Sequence, residues 1–187
     1  MIDPNARIDF YLKRFVNIYQ VHDPESDEAL IKIIRDEAVR NRRPSNVQAA
    51  VTWALKIDHN ADPQSRFFSF LKRSLEDAWG NLLCETAPPE PLRYRISSMW
   101  GAIYQQGDWA DYHTHGPSRT SWVYYLQADQ TTGKNSPLVF DNTGYEIIPA
   151  TGQLIMFPSW LGHSVPKFEP GDSSERIVLA GNCEIAM

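Results

Sequence analysis

Cysteine is scarce. The 187 residues hold only Cys84 and Cys183. The two lie far apart and form no CxxC unit, which excludes a zinc ribbon and a disulfide-stapled scaffold. Long apolar runs are absent too. No stretch approaches the roughly 20 apolar residues that a bilayer-spanning helix needs. The opening MIDPNARIDFYLKRF carries charge throughout, unlike the apolar core of a signal peptide. A cytoplasmic protein that does not span a membrane is expected. Positive charge is also in deficit, with 18 Lys and Arg against 23 Asp and Glu, a net charge of −5. That field repels polyanions and argues against nucleic acid as a partner. Neither an internal repeat nor a low-complexity segment is present, and nothing in the chain writes its oligomeric state.

What the chain does have is aromatic side chains: six Trp, eight Tyr and eight Phe within a hydrophobic fraction of 42%. These favour a β-rich core or an aromatic-lined pocket over a helical bundle. The length suits one domain over 1–187 with a real core. Its texture changes at the proline cluster TAPPEP (86–91). Residues 1–91 read as a helical flank, and residues 92–187 read almost entirely as β.

In the flank, DPESDEALIKIIRDEAVRNRR (23–43) starts with cap-type and acidic residues. Leu30, Ile31, Ile33, Ile34 and Ala38 follow helical spacing, and the segment closes on Arg40, Arg42 and Arg43, which suit a helix C-terminus. A second helix is expected over 63–85, with Phe67, Phe70, Leu71, Leu75, Trp79 and Leu82 or Leu83 forming its apolar stripe. FVNIYQV (15–21) reads as a strand, and 45–62 fits neither period. In the second part, short β-like runs cover 94–105, 110–115, 120–127, 137–142, 145–150, 152–159, 163–168 and 175–185. Gly, Pro, Asp or Asn punctuates nearly every gap. Eight short strands with turn signals predict a sandwich or small barrel of jelly-roll type, with the helices covering one sheet face.

The chemistry concentrates in DYHTHGPSRTSWVYYL (111–126). On a strand, side chains i and i+2 point to one face, so His113 and His115 sit roughly 7 Å apart at Cα and their rings can converge on one ion. Asp111 shares that face. A third imidazole, His163, follows the turn FPSWLG at the start of another strand, where jelly-roll topology can bring it close. Arg176 then opens the apolar strand ERIVLAGN. An arginine there is costly without an anionic partner, and its planar fork suits a carboxylate. Ser121 and Ser159 are further candidates for a carboxylate, and Trp122, Tyr124 and Trp160 for a pocket wall. Asn182 is placed to approach the metal end.

HTHGPSRTSWVYYLQ, GQLIMFPSWLGHSVP and SERIVLAGN, in that order, resemble the core of the iron(II)- and 2-oxoglutarate-dependent oxygenases over about residues 94–183. The resemblance implies a cupin-like double-stranded β-helix holding Fe(II), with 2-oxoglutarate and O2 as cosubstrates. It implies hydroxylation of a C–H bond in a peptidyl or small-molecule prime substrate, with decarboxylation of 2-oxoglutarate to succinate. It places the first histidine ligand at His113, the distal one at His163, and the cosubstrate-anchoring arginine at Arg176, assisted by Tyr125 or Tyr104. Members usually carry Asp or Glu where this chain has His115. Three readings therefore stand open: His113, His115 and His163, preferred because His115 occupies the family's position; Asp111, His113 and His163; or a site completed by water, with His115 binding substrate. The rivals are a three-histidine cupin that does without 2-oxoglutarate, with Glu146 as a possible fourth ligand, and a non-enzymatic jelly-roll binding protein.

Overall fold

The computed structural model describes residues 16–40, 45–53, 55, 57, 64–82, 93–128, 136–140, 145–167 and 175–186. Within these, alternating apolar residues build two sheets and two amphipathic helices cover one of them. The strands are β1 (Asn17–Gln20), β2 (Val39–Arg40), β3 (Val47–Gln48), β4 (Ala50–Val51), β5 (Arg93–Tyr104), β6 (Trp109–His113), β7 (Thr120–Gln127), β8 (Leu138–Phe140), β9 (Tyr145–Ile147), β10 (Gln153–Pro158), β11 (His163–Val165) and β12 (Arg176–Ala186). The helices are α1 (Pro24–Glu37) and α2 (Gln64–Leu82). One sheet runs β1-β10-β7-β12-β5-β4-β2 and the other β3-β6-β11-β8-β9. The fold is a double-stranded β-helix, as expected.

The two faces of the larger sheet follow from the period of two along its strands. On β5, Met99 and Ile103 join the core beneath the helices, while Ser98, Trp100, Ala102 and Tyr104 line a cavity between the sheets. On β12, Ile177 and Leu179 join the same core, and Arg176, Val178, Ala180 and Asn182 face the cavity. The helices seal the outer face with Leu30 and Ile34 of α1 and Phe67, Leu71 and Leu75 of α2. Gly101 sits under α1, where an added Cβ would overlap the Ile34 side chain.

Asp23 caps α1 through the Ser26 N–H, Pro24 follows at the first turn, and Glu25 and Asp27 complement the positive end of the helix dipole. The helix stops at Glu37 rather than running to 43. Ala38 turns extended, and the Arg40 guanidinium grips both oxygens of Asp108 at 2.9 and 2.8 Å. That ion pair draws the chain into the sheet edge as β2, so Arg40 caps no helix; Arg42 and Arg43 lie outside the described residues. Segment 45–62, without a clear period, supplies β3 to the smaller sheet and β4 to the larger. The N-terminal part thus contributes strands to both sheets besides its helices. The side chains of Trp79 and Leu82, and residue Leu83, lie outside the described set. Among the described residues, no helix is long and apolar enough to cross a membrane.

Candidate metal centre

β6 and β11 are antiparallel neighbours, and their register makes His113 and His163 Cα partners. Ring centroids of the two lie 4.4 Å apart. His115 reaches the same point by another route. β6 ends at His113, so the expected strand through 115 is not formed. Instead the His115 N–H donates to the Ser159 carbonyl at 2.8 Å, which pins the loop against the end of β10. The His115 ring then lies 4.9 Å from His113 and 5.1 Å from His163. One nitrogen from each of the three rings lies within 4.8 Å of the others, and the Nε2 atoms of His115 and His163 are 3.3 Å apart.

The chemistry of these donors fits a divalent metal ion. Burial, reinforced by the neighbouring His113, pushes His115 down to about 4 and His163 down to about 3. Both rings are then uncharged at neutral pH, the form that ligates. Neutral imidazole suits Fe(II) among the first-row ions.

Asp111 does not join the three rings. Its side chain is exposed, and it contributes instead its main-chain carbonyl, which accepts from His113 Nδ1 at 2.6 Å. Glu146 is exposed on β9 and is not one of the three clustered groups. Ser121 is buried, but its hydroxyl donates to Asn182 Oδ1 at 2.8 Å and meets the Ser159 hydroxyl at 2.8 Å. It does not lie on the cavity wall, so direct contact with a cosubstrate is not what the structure shows for it. Tyr124 points the other way, into the helix-covered core, and Trp160 is exposed.

Arg176 is 1% exposed. Its Nη1 donates to the Ser136 carbonyl at 2.7 Å, and its guanidinium lies 4.7 Å over the Tyr104 ring, a cation–π contact. Burial raises the Tyr104 phenol and pushes Tyr125 up to about 12, against the opposing pull of the Arg176 charge. Both hydroxyls therefore remain protonated donors. Arg176, Tyr104, Tyr125 and the three histidines all line one cavity of about 390 Å³.

Trp53 and Trp100 also line this cavity, and neither stood out in the sequence. The period-two alternation Ser98, Trp100, Ala102, Tyr104 carried the signal for Trp100. Nothing local marked Trp53, which lies in a segment of mixed pattern.

The family described as "Putative 2OG-Fe(II) oxygenase" matches residues 98–182, a stretch that carries all three histidines and Arg176. Among curated proteins none matches the sequence significantly. Solved structures share the fold. The viral collagen prolyl hydroxylase of Paramecium Bursaria Chlorella virus-1, solved as its 2OG complex, superposes with a TM-score of 0.65 at 15% identity, over 92% of this chain and 97% of that one. A Pseudomonas putida prolyl-4-hydroxylase gives 0.65 at 18% identity, over 98% and 99%. A Trichoplax adhaerens prolyl hydroxylase, in complex with a hypoxia inducible factor peptide fragment, gives 0.57 at 13%, over 95% and 90%. Over residues 98–182, which carry the three imidazoles and Arg176, the chain is thus similar to the 2OG-Fe(II) oxygenases, and it shares its double-stranded β-helix with the solved structures.

Proposed function

We propose that His113, His115 and His163 hold Fe(II), that Arg176, Tyr104 and Tyr125 hold 2-oxoglutarate, and that the enzyme hydroxylates a C–H bond of a peptidyl substrate. One observation carries this reading: three imidazoles and a buried guanidinium line a single cavity. Iron and 2-oxoglutarate together supply O2 activation coupled to oxidative decarboxylation, which yields succinate and hydroxylated product. The chain's own residues bind, orient and exclude water. Three neutral imidazoles leave the ion's charge to be balanced by a dianionic cosubstrate, which accounts for a site without a carboxylate ligand. The Arg176 fork matches a carboxylate in two parallel hydrogen bonds, and its burial strengthens them. The phenols of Tyr104 and Tyr125 add protonated donors beside it. Leu138, Phe157, Val165 and Val178 keep the wall between the two ends apolar. The fold relatives named as prolyl hydroxylases, one of them with a bound peptide, favour a peptidyl substrate over a small metabolite. Residues 1–91 and 92–187 act as one domain in this reading, since β1 to β4 extend the two sheets.

The test is spectroscopic. Anaerobic addition of Fe(II) and then 2-oxoglutarate produces a visible metal-to-ligand charge-transfer band. Its absence from folded, iron-loaded protein rejects the assignment.

A further inference from the structure

The mouth of the cavity has a composition of its own. Its lining residues that are exposed to solvent are Asn46, Trp53, Ser98 and Thr114. Trp100 stands just inside, its indole 5.5 Å from the His115 ring. Among the described lining residues, Arg176 at the opposite, buried end is the only Lys, Arg, Asp or Glu. Among the described lining residues the mouth therefore offers two indoles, an amide and hydroxyls, and no Lys, Arg, Asp or Glu.

Trp53 is held there against its backbone preference. Its φ is +56°, a left-handed value unfavourable for a bulky side chain. Two anchors on β5 impose it. Before Trp53, Thr52 N donates to the Gly101 carbonyl at 3.0 Å and Thr52 Oγ1 accepts from Gly101 N at 3.0 Å. After it, Leu55 N donates to the Met99 carbonyl at 3.0 Å. Between these anchors Trp53 takes its left-handed φ and lines the cavity. Packing does not explain the indole, which is 50% exposed while Leu55 is buried. A strained, exposed aromatic beside candidate ligands is the kind of feature that marks a ligand clamp.

We infer that Trp53 and Trp100 select the prime substrate: they receive an uncharged apolar residue of a peptide, with Asn46 and Thr114 offering hydrogen bonds to its main chain. The inference rests on the reading above, in which the buried end holds 2-oxoglutarate and the mouth is left for the second substrate. Indoles give a flat apolar face to an aliphatic ring or side chain. A charged side chain would lose water there without gaining a charged partner among the described lining residues.

The test uses the protein loaded anaerobically with Fe(II) and 2-oxoglutarate, titrated with acetyl-Gly-Xaa-Gly-amide peptides in which Xaa is Pro, Leu, Lys or Glu. Indole fluorescence and calorimetry report binding without turnover. The Pro and Leu peptides bind, and the Lys and Glu peptides bind about tenfold or more weakly by comparison. Trp53→Ala weakens the Pro and Leu peptides by about tenfold and leaves 2-oxoglutarate affinity unchanged. Trp53→Gly, which relieves the positive φ, shows the same loss with a Tm equal to or above that of the parent, so misfolding is not its cause. Equal binding of charged and neutral peptides, parent-like binding by either variant, or no neutral peptide bound by protein that does bind 2-oxoglutarate overturns the inference. Failure to bind 2-oxoglutarate overturns the functional reading itself, and this inference with it.

Discussion

His113 and His163, Cα partners across the β6–β11 ladder, each turn Nδ1 onto a main-chain carbonyl two residues upstream. His113 donates to Asp111 at 2.6 Å and His163 to Leu161 at 3.1 Å. The same local device on two strands fixes the same tautomer in both rings. Each Nδ1 carries the proton, and each Nε2 keeps its lone pair. Main-chain carbonyls that orient imidazoles in this way are the usual support of histidine metal ligands.

The proposed ligand set is tested by exchange. Loss of a supporting partner typically costs about 10–100-fold in metal affinity, and loss of a ligand costs more. His163→Ala therefore leaves little bound Fe(II) by metal analysis or calorimetry. Asp111→Asn binds metal as the parent does, because Asp111 acts through its carbonyl. His115→Asp retains iron, since a carboxylate suits the same ion at that place. Unchanged iron content in His163→Ala would mean that another group completes the site.

The proposed 2-oxoglutarate anchor is tested at Arg176. A hydrogen bond to a charged group contributes about 1.5–3 kcal/mol, so Arg176→Lys, which keeps the charge and loses the fork, weakens 2-oxoglutarate about 10–100-fold. Fe(II) binding stays at the parent level because the imidazoles are untouched. A cosubstrate Kd unaffected by the change would place the anchor elsewhere.

The sequence made the β half of the fold legible because each long strand buries one face. Alternation along 94–105, 120–127 and 175–185 reappears in β5, β7 and β12 within a residue or two. Two-residue strands such as β2, β3 and β4 carry no period, and their pairing is decided by partners distant in sequence. β2 pairs with β4, and the Arg40 side chain on β2 pairs with Asp108, far along the chain, outside the expected helix. The three imidazoles and the arginine that line one cavity were visible in the sequence as residue types in order. Which of His115 and Asp111 lies beside the other two rings was not visible, because spacing along an assumed strand treats them alike. What separates them is the end of β6 at His113 and the bond from His115 N to Ser159, both set by tertiary contacts.

Gly101 tests the packing of α1 on the sheet. A Cβ at this position would overlap Ile34, a fully buried residue in a helix that cannot retreat without losing Leu30 from the core. Overpacking of this kind costs about 1–3 kcal/mol, so Gly101→Ala lowers the denaturation midpoint. Ile34→Ala alone costs about 2–5 kcal/mol. The double variant Gly101→Ala, Ile34→Ala is more stable than the sum of the two single losses predicts, because removing Cγ1, Cγ2 and Cδ1 of Ile34 gives room to the new methyl. Strict additivity in chemical denaturation would show that the helix shifts rather than clashes.

The second face of β7 carries a pH-dependent contact. Tyr124, fully buried and stacked on Phe67 with centroids 4.7 Å apart, donates its hydroxyl to Asp27 Oδ1 at 2.7 Å and to the Val21 carbonyl at 3.1 Å. Burial raises the Asp27 carboxyl above its ordinary value, and the Tyr124 hydrogen bond pulls it back. Tyr124→Phe removes that opposing pull, so the Asp27 pKa rises further in the folded variant. The bond favours the charged carboxylate, so its contribution is present at high pH and is lost as pH falls through the folded pKa of Asp27. At pH 8 the variant is less stable by about 1–3 kcal/mol. As pH falls into the carboxyl range the deficit narrows, leaving only the smaller loss of the bond to Val21. Urea midpoints of parent and variant measured from pH 8 to pH 4 check this. A deficit that stays constant over the whole range would show that the hydroxyl acts through Val21 and not through the Asp27 charge.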